Sequence, residues 1–241
     1  MSEYTVVVDP AKKRDFTSLF IVRQTPEIIP GARSLRAPDR VVNFLDVVHI
    51  DKFNNLSYPK LVEIVAARCG HRDIVNNHDL LVDGTGIGEA VVDLMRDKGL
   101  NPMPIVFTGG NQVTQIHAGF GEVFTGAVGK LAGARMVKEL HVPKADLIAA
   151  GQLIMQQDRL RVARLAWEQD FKDQLLAFKG KVNDGGRVKS AEAETEKDHD
   201  DLVVCFLMAA WWMLSHETMA PDQVLPDRLR RDRDYEPADF Y

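Results

Sequence analysis

Cysteine is nearly absent from this chain. Two residues of 241, Cys69 and Cys205, lie far apart in apolar, helix-like stretches, and neither belongs to a CxxC pair. That pattern predicts two reduced core thiols rather than a disulfide framework or a zinc site. Long apolar runs are missing too. The longest, "LVVCFLMAAWWML" at 202–214, falls short of the ~18–20 residues that a membrane span needs. The opening "MSEYTVVVDP" has no basic segment followed by an apolar one, so no secretory signal is expected and the cytoplasm is the expected compartment. "GAVGKLAG" at 126–133 has neither the spacing of GxxxxGK[ST] nor a hydroxyl residue after Lys130, so no phosphate-cradling ATPase loop is expected. Nor is there an excess of positive charge, since 30 Lys and Arg face 35 Asp and Glu for a net charge of −5. This argues against coating nucleic acid by bulk charge. It leaves open an enzyme that gathers acids in one pocket and sets short basic clusters such as Lys12-Lys13-Arg14 around it.

What is present reads as one soluble α/β unit, 45% hydrophobic and 27% charged, long enough to bury a proper core. "YTVVVDP" (4–10), "TSLFIVRQ" (17–24) and "VVNFLDVVHI" (41–50) read as strands of an antiparallel meander. The polar "AKKRDF" joins the first two, and the Pro/Arg-rich stretch 25–40 reads as a loop. Helical spacing follows at 57–70, with Ser57 as N-cap and Gly70 as stop. "DLLVD" (79–83) is a strand, 88–99 a helix closed by Gly99, and "MPIVFTGG" (103–110) a strand, so the later strands run parallel. Residues 109–142 suggest a flap or hairpin insertion. Helices are expected at 142–159, with Pro143 in the first turn, at 166–180, ended by Gly180, and at 200–217. A short strand is expected at 159–164 and a polar loop or hairpin at 181–198. The fold class predicted is a mixed sheet, an antiparallel meander plus parallel strands, flanked by α-helices.

Acids at three places stand out. Asp9 ends the first strand, Asp83 ends a later one, and Asp200 and Asp201 open the most apolar helix. Each has an ordinary reading, as a turn residue, a helix cap or a partner of the helix dipole. Jointly they mean more. If the first and fourth strands are neighbours, Asp9 and Asp83 emerge together, and the last helix can bring Asp201 alongside. Carboxylates converging without cysteine or histidine favour hard cations, Mg²⁺ or Mn²⁺, and two such ions can drive phosphodiester hydrolysis. The run "VDGTGIGEA" also allows a dinucleotide-binding turn. Its glycines, at 84, 86 and 88, are spaced GxGxG rather than GxGxxG, and the next strand ends in Thr and Gly with no acid for a ribose, which makes this the weaker reading.

The order of elements and acids resembles the ribonuclease H-like nucleases, and four segments resemble the nuclease domain of phage terminase large subunits. "VVVDPAKKRDFTSLFIVR" is similar to that family's opening strand, basic turn and second strand. "LLVDGTGIGEAVVDLMRDKGL", "VPKADLIAAGQLIMQQDRLRVA" and "KDHDDLVVCFLMAAW" resemble its later segments, in order and over nearly the whole chain. The resemblance implies catalytic, metal-binding Asp9, Asp83 and Asp201, with Asp200 as a further ligand, and His199 and Asp15 as accessory residues. It implies an endonuclease with two Mg²⁺ or Mn²⁺ ions acting on double-stranded DNA, encoded by a phage or prophage and working in a bacterial cytoplasm. Lys12, Lys13, Arg14 and Lys144 are the candidate DNA-backbone contacts. Residues 1–218 are expected as the nuclease domain and 219–241 as a charged tail, with no ATPase domain. A separate packaging ATPase, a small terminase subunit or a portal would then be partners. A non-catalytic module of the same fold, binding DNA or a motor, remains the alternative.

Overall fold

Thr5–Val8 are buried on both faces of strand β1 (Tyr4–Asp9), as a central strand with helices on either side requires. The computed structural model describes residues 2–11, 16–29, 40–86, 88–117, 137–182, 188–193 and 201–217. β2 (Phe16–Ile29) and β3 (Arg40–Asn54) complete the antiparallel meander. β4 (His78–Asp83) lies parallel to β1 on its other side, β5 (Pro102–Thr108) parallel to β4, and β7 (Val137–Pro143) parallel to β5. β6 (Thr114–His117) is antiparallel to β7 at one edge, and β8 (Leu160–Val162) is parallel to β3 at the other. The sheet order is β6-β7-β5-β4-β1-β2-β3-β8. The mixed sheet predicted from sequence is therefore the one found.

Helices α1 (Tyr58–Cys69) and α2 (Gly88–Asp97) cover one face, where Leu61, Val65, Val91 and Met95 meet Val6, Val8, Leu80 and Val82. The other face carries α3 (Lys144–Gln156), α4 (Glu168–Ala177) and α5 (Asp201–His216). α5 is apolar nearly all round and buries ten of its residues, from Leu202 to Met213, the pattern of a helix enclosed by protein. No helix among the described residues is long and apolar enough to cross a membrane.

Several boundaries differ from expectation. Thr25–Ile29 is strand rather than loop, paired with Arg40–Phe44. Pro26 is admitted because β2 has lost β1 as a neighbour beyond Arg23, which leaves it an edge there. Val142 and Pro143 end β7 instead of opening a helix. Pro143 stands at the N-cap of α3 with φ −58°, a ring-fixed angle that suits the change from strand to helix. Gly180 does not end α4. The helix stops at Ala177, and β9 (Phe178–Val182) forms a separate ribbon with β10 (Val188–Ala193). Ser57 occupies the N-cap position of α1 without a side-chain cap. Gly99 closes α2 in the left-handed region, with φ +85°, as a glycine stop does. The basic turn at 12–15, residues 118–136 of the expected flap, and the tail from 219 lie outside the described residues.

Candidate active site

The parallel pairing of β1 with β4 runs to Val8 opposite Val82. Asp9 and Asp83, the next residue of each strand, therefore stand side by side at the carboxyl ends of two central strands. Alternation fixes their face. Val7 and Leu81 pack into the core under α5, whereas Val6, Val8, Leu80 and Val82 pack towards α1 and α2, so both acids belong to the α5 side. α5 begins at Asp201. One turn further on, the Cys205 sulfur lies 4.0 Å from the Val7 carbonyl oxygen and 3.9 Å from that of Ser18. The first turn of α5 is thereby set across the ends of β1 and β2. The Leu202 N–H, which has no intrahelical acceptor at the helix start, donates to Gln174 Oε1 of α4 at 3.0 Å.

Cys205 registers the electrostatics of this corner. Its thiol pKa is pushed well up, first by complete burial and then by the negative charges of Asp9, Asp201 and Asp83, in that order. One sulfur thus feels all three acids. The Asp83 carboxyl is itself held above the ordinary aspartate range by burial, against opposing hydrogen bonds from Thr85 and the charge of Lys144. Asp201 buries its Oδ2 atom. Lys144, the exposed first residue of α3, is therefore part of the same neighbourhood. Lys12, Lys13, Arg14, Asp15, His199 and Asp200 lie outside the described residues.

Four neighbours escaped the sequence reading. Ser18 stands opposite Asp9, and Lys52 stands opposite Ser18. Ser18 is fully buried. The Lys52 ammonium lies 3.0 Å from Asp170 Oδ2 and 4.4 Å from the centre of the Phe16 ring. The third is Gln174, whose only clue would have been the packing of α4 on α5. The fourth, Thr85, carried a legible signal, because an acid two residues before a backbone donor is the pattern of an Asx turn.

The glycines beside Asp83 serve the turn. A Cβ at Gly84 would sit 3.1 Å from Pro104 Cβ and 3.2 Å from Val106 Cγ2, while Gly86 has φ +72°. The space beside Gly84 is filled by β5 rather than open to a pyrophosphate. Among the described residues no group of three or more His, Cys, Asp or Glu side chains is placed to hold a metal ion as it stands. The chemistry of Asp9, Asp83 and Asp201, carboxylates without cysteine or histidine as fellow donors, nonetheless suits a hard divalent cation.

A β1-β2-β3 meander continued by parallel strands, with acids ending β1 and β4 and opening α5, defines a ribonuclease H-like fold. The chain matches the model of the terminase RNaseH-like domain over residues 6–210 and belongs to that family. It is similar to the crystal structure of the large terminase nuclease from thermophilic phage G20c, at 14% identity and a TM-score of 0.52, over 86% of this chain and 81% of that one. A second structure of that nuclease, with bound cobalt, is similar at 13% identity and a TM-score of 0.52, over 87% of this chain and 80% of that one. At such identity the likeness is one of fold. No curated protein sequence matches the chain.

Proposed function

We propose that the chain is a metal-dependent DNA endonuclease of the terminase type, cutting DNA during phage genome packaging in the cytoplasm of a bacterial host. The observation that carries this reading is the register of β1 and β4, which brings Asp9 and Asp83 out side by side on the face covered by α5, the helix that Asp201 opens and that Cys205 seats against Val7 and Ser18. Like charges gathered in this way are costly, and a cation relieves the repulsion. Family membership and the cobalt bound by a nuclease of similar fold support the same reading.

Two Mg²⁺ or Mn²⁺ ions, held by Asp9, Asp83 and Asp201, with Asp200 as a further donor, would supply Lewis acidity for phosphodiester hydrolysis. Asp9 from the central strand, Asp83 from β4 and Asp201 from α5 would be the carboxylates that hold the ions. His199 and Asp15 are accessory. Lys144, with Lys12, Lys13 and Arg14, contacts the DNA backbone and so positions the duplex without reading sequence. In-line attack of water on the scissile phosphorus releases the 3′ oxygen, giving 5′-phosphate and 3′-hydroxyl ends. Residues 1–218 form the nuclease unit in this reading and 219–241 a tail. Translocation belongs to a packaging ATPase, with a small terminase subunit or portal as further partners.

The direct test is supercoiled plasmid incubated with the purified protein and Mn²⁺ or Mg²⁺. Nicking and linearisation are expected, and excess EDTA should stop both. Plasmid that stays intact over a range of salt, yet binds the protein, would assign a DNA-binding module without catalysis.

A further inference from the structure

Asp83 opens a turn that is fastened twice to β5. The Gly84 N–H donates to the Ile105 carbonyl oxygen at 2.9 Å, and the Phe107 N–H donates to Thr85 Oγ1 at 3.2 Å. The β4–β5 ladder stops at Asp83 opposite Ile105, so the Thr85 hydroxyl accepts the next donor of β5 in place of a strand residue. The Thr85 N–H then turns back to Asp83 Oδ1 at 2.7 Å, closing an Asx turn. Satisfying Phe107 is not by itself a reason for the hydroxyl, because Thr85 is exposed and water could serve the same N–H. Freedom of the turn is the better reason. Thr85 stands between Gly84 and Gly86, the latter at φ +72°, and glycines on both sides give the turn the greatest backbone freedom to lose.

We propose that Thr85 is a positioning residue for Asp83. Its hydroxyl ties the turn to β5 and bonds the Asp83 carboxyl, and the tied turn aims the Thr85 N–H at Asp83 Oδ1, so that the carboxyl is held in one orientation for a cation. This rests on the reading of Asp83 as a metal donor. The experiment compares wild type, Thr85→Val, which keeps the shape but loses the hydroxyl and with it the bonds to the Phe107 N–H and to the Asp83 carboxyl, and Thr85→Ser, which keeps the hydroxyl. Mn²⁺ binding is measured by calorimetry without DNA, and kcat and KM by plasmid cleavage. Thr85→Val should weaken Mn²⁺ binding and lower kcat by about 10–100-fold, as loss of a partner behind a metal ligand does, with KM for DNA unchanged. Thr85→Ser should restore both. A Val variant that binds Mn²⁺ and cleaves as wild type does, while wild type binds the ion, overturns this inference alone. So does a Ser variant as weak as Val, which would make the methyl group the important part. Wild-type protein that binds no Mn²⁺ overturns the endonuclease reading and takes this inference with it.

Discussion

Asp83 is pulled two ways, because the placement that suits a cation is unfavourable without one. Burial raises its pKa in the folded chain, so the folded state holds that proton more tightly than the unfolded state. For metal-free protein the resulting stability is present at acid pH and is lost as pH rises from the unfolded aspartate value through the raised folded one. Asp83→Asn removes the charge and keeps an oxygen for the Thr85 N–H. In EDTA at neutral pH the variant should therefore melt above wild type, with the gain vanishing below about pH 4, where unfolded aspartate protonates. Cleavage with Mn²⁺ should meanwhile fall by more than the roughly 100-fold expected for losing an outer partner. Melting curves across pH and a plasmid assay check the two arms, and wild-type cleavage by the variant would remove Asp83 from the site. The three acids were legible in the sequence because each sits at the end of an apolar run. Ser18, Lys52 and Gln174 were not, because their places depend on cross-strand register and on helix packing between segments far apart in sequence.

At the scale of elements, the central strands and helices were readable from periodicity, and the errors fall where pairing overrides local composition. Thr25–Ile29 has the proline and charge of a loop, yet pairs residue by residue with β3. Phe178–Gly180 continues a helical pattern, yet leaves α4 and joins Lys181 and Val182 in pairing with β10, the hairpin expected for 181–198. Helix packing shows the reverse, a residue whose role appears only in three dimensions. At Gly151, where α3 meets α5, an added Cβ would lie 2.3 Å from Leu207 Cδ2 and 3.1 Å from Phe206 Cε1. Both neighbours are buried, so neither can swing into solvent. Gly151→Val should destabilise the fold by about 1–3 kcal/mol through overpacking, at roughly 2–4 °C of Tm per kcal/mol. Combining it with Leu207→Ala should be less damaging than the sum of the two changes, with a coupling of about 0.5–3 kcal/mol. Strict additivity in denaturation experiments would mean that the helices do not meet at this point.

Across the whole molecule, α5 works as a strut. Its first residue, Asp201, lies on the side of the carboxyl ends of β1 and β4, where Asp9 and Asp83 stand. Further along, the Trp212 indole N–H donates to Asp79 Oδ2 near the start of β4, at 3.0 Å. Just past its end, Glu217 Oε1 accepts from Arg159 Nη2 at 2.6 Å and from the Asn43 N–H at 3.3 Å. Arg159, whose side chain is 6% exposed, also donates from Nε to the Asn43 carbonyl oxygen at 2.7 Å and from Nη1 to Gln157 Oε1 at 3.0 Å. One guanidinium thus joins α5 to β3 and to the end of α3, far from the acids. Arg159→Met keeps the apolar stem and removes the fork. It should cost about 2–4 kcal/mol, somewhat under the 3–5 kcal/mol of a fully buried pair, because the Glu217 side chain is 25% exposed. Arg159→Lys should recover little, since an ammonium cannot reproduce three diverging donors in one plane. Well below the melting temperature, kcat of the Met variant should match wild type, because the buried apolar surface of α5 still holds Asp201 over the sheet. Chemical denaturation gives the first quantity and plasmid cleavage the second. Should kcat fall while stability holds, the two ends of α5 would be coupled, and a shift at the Arg159 clamp would reach the acids despite the buried surface between them.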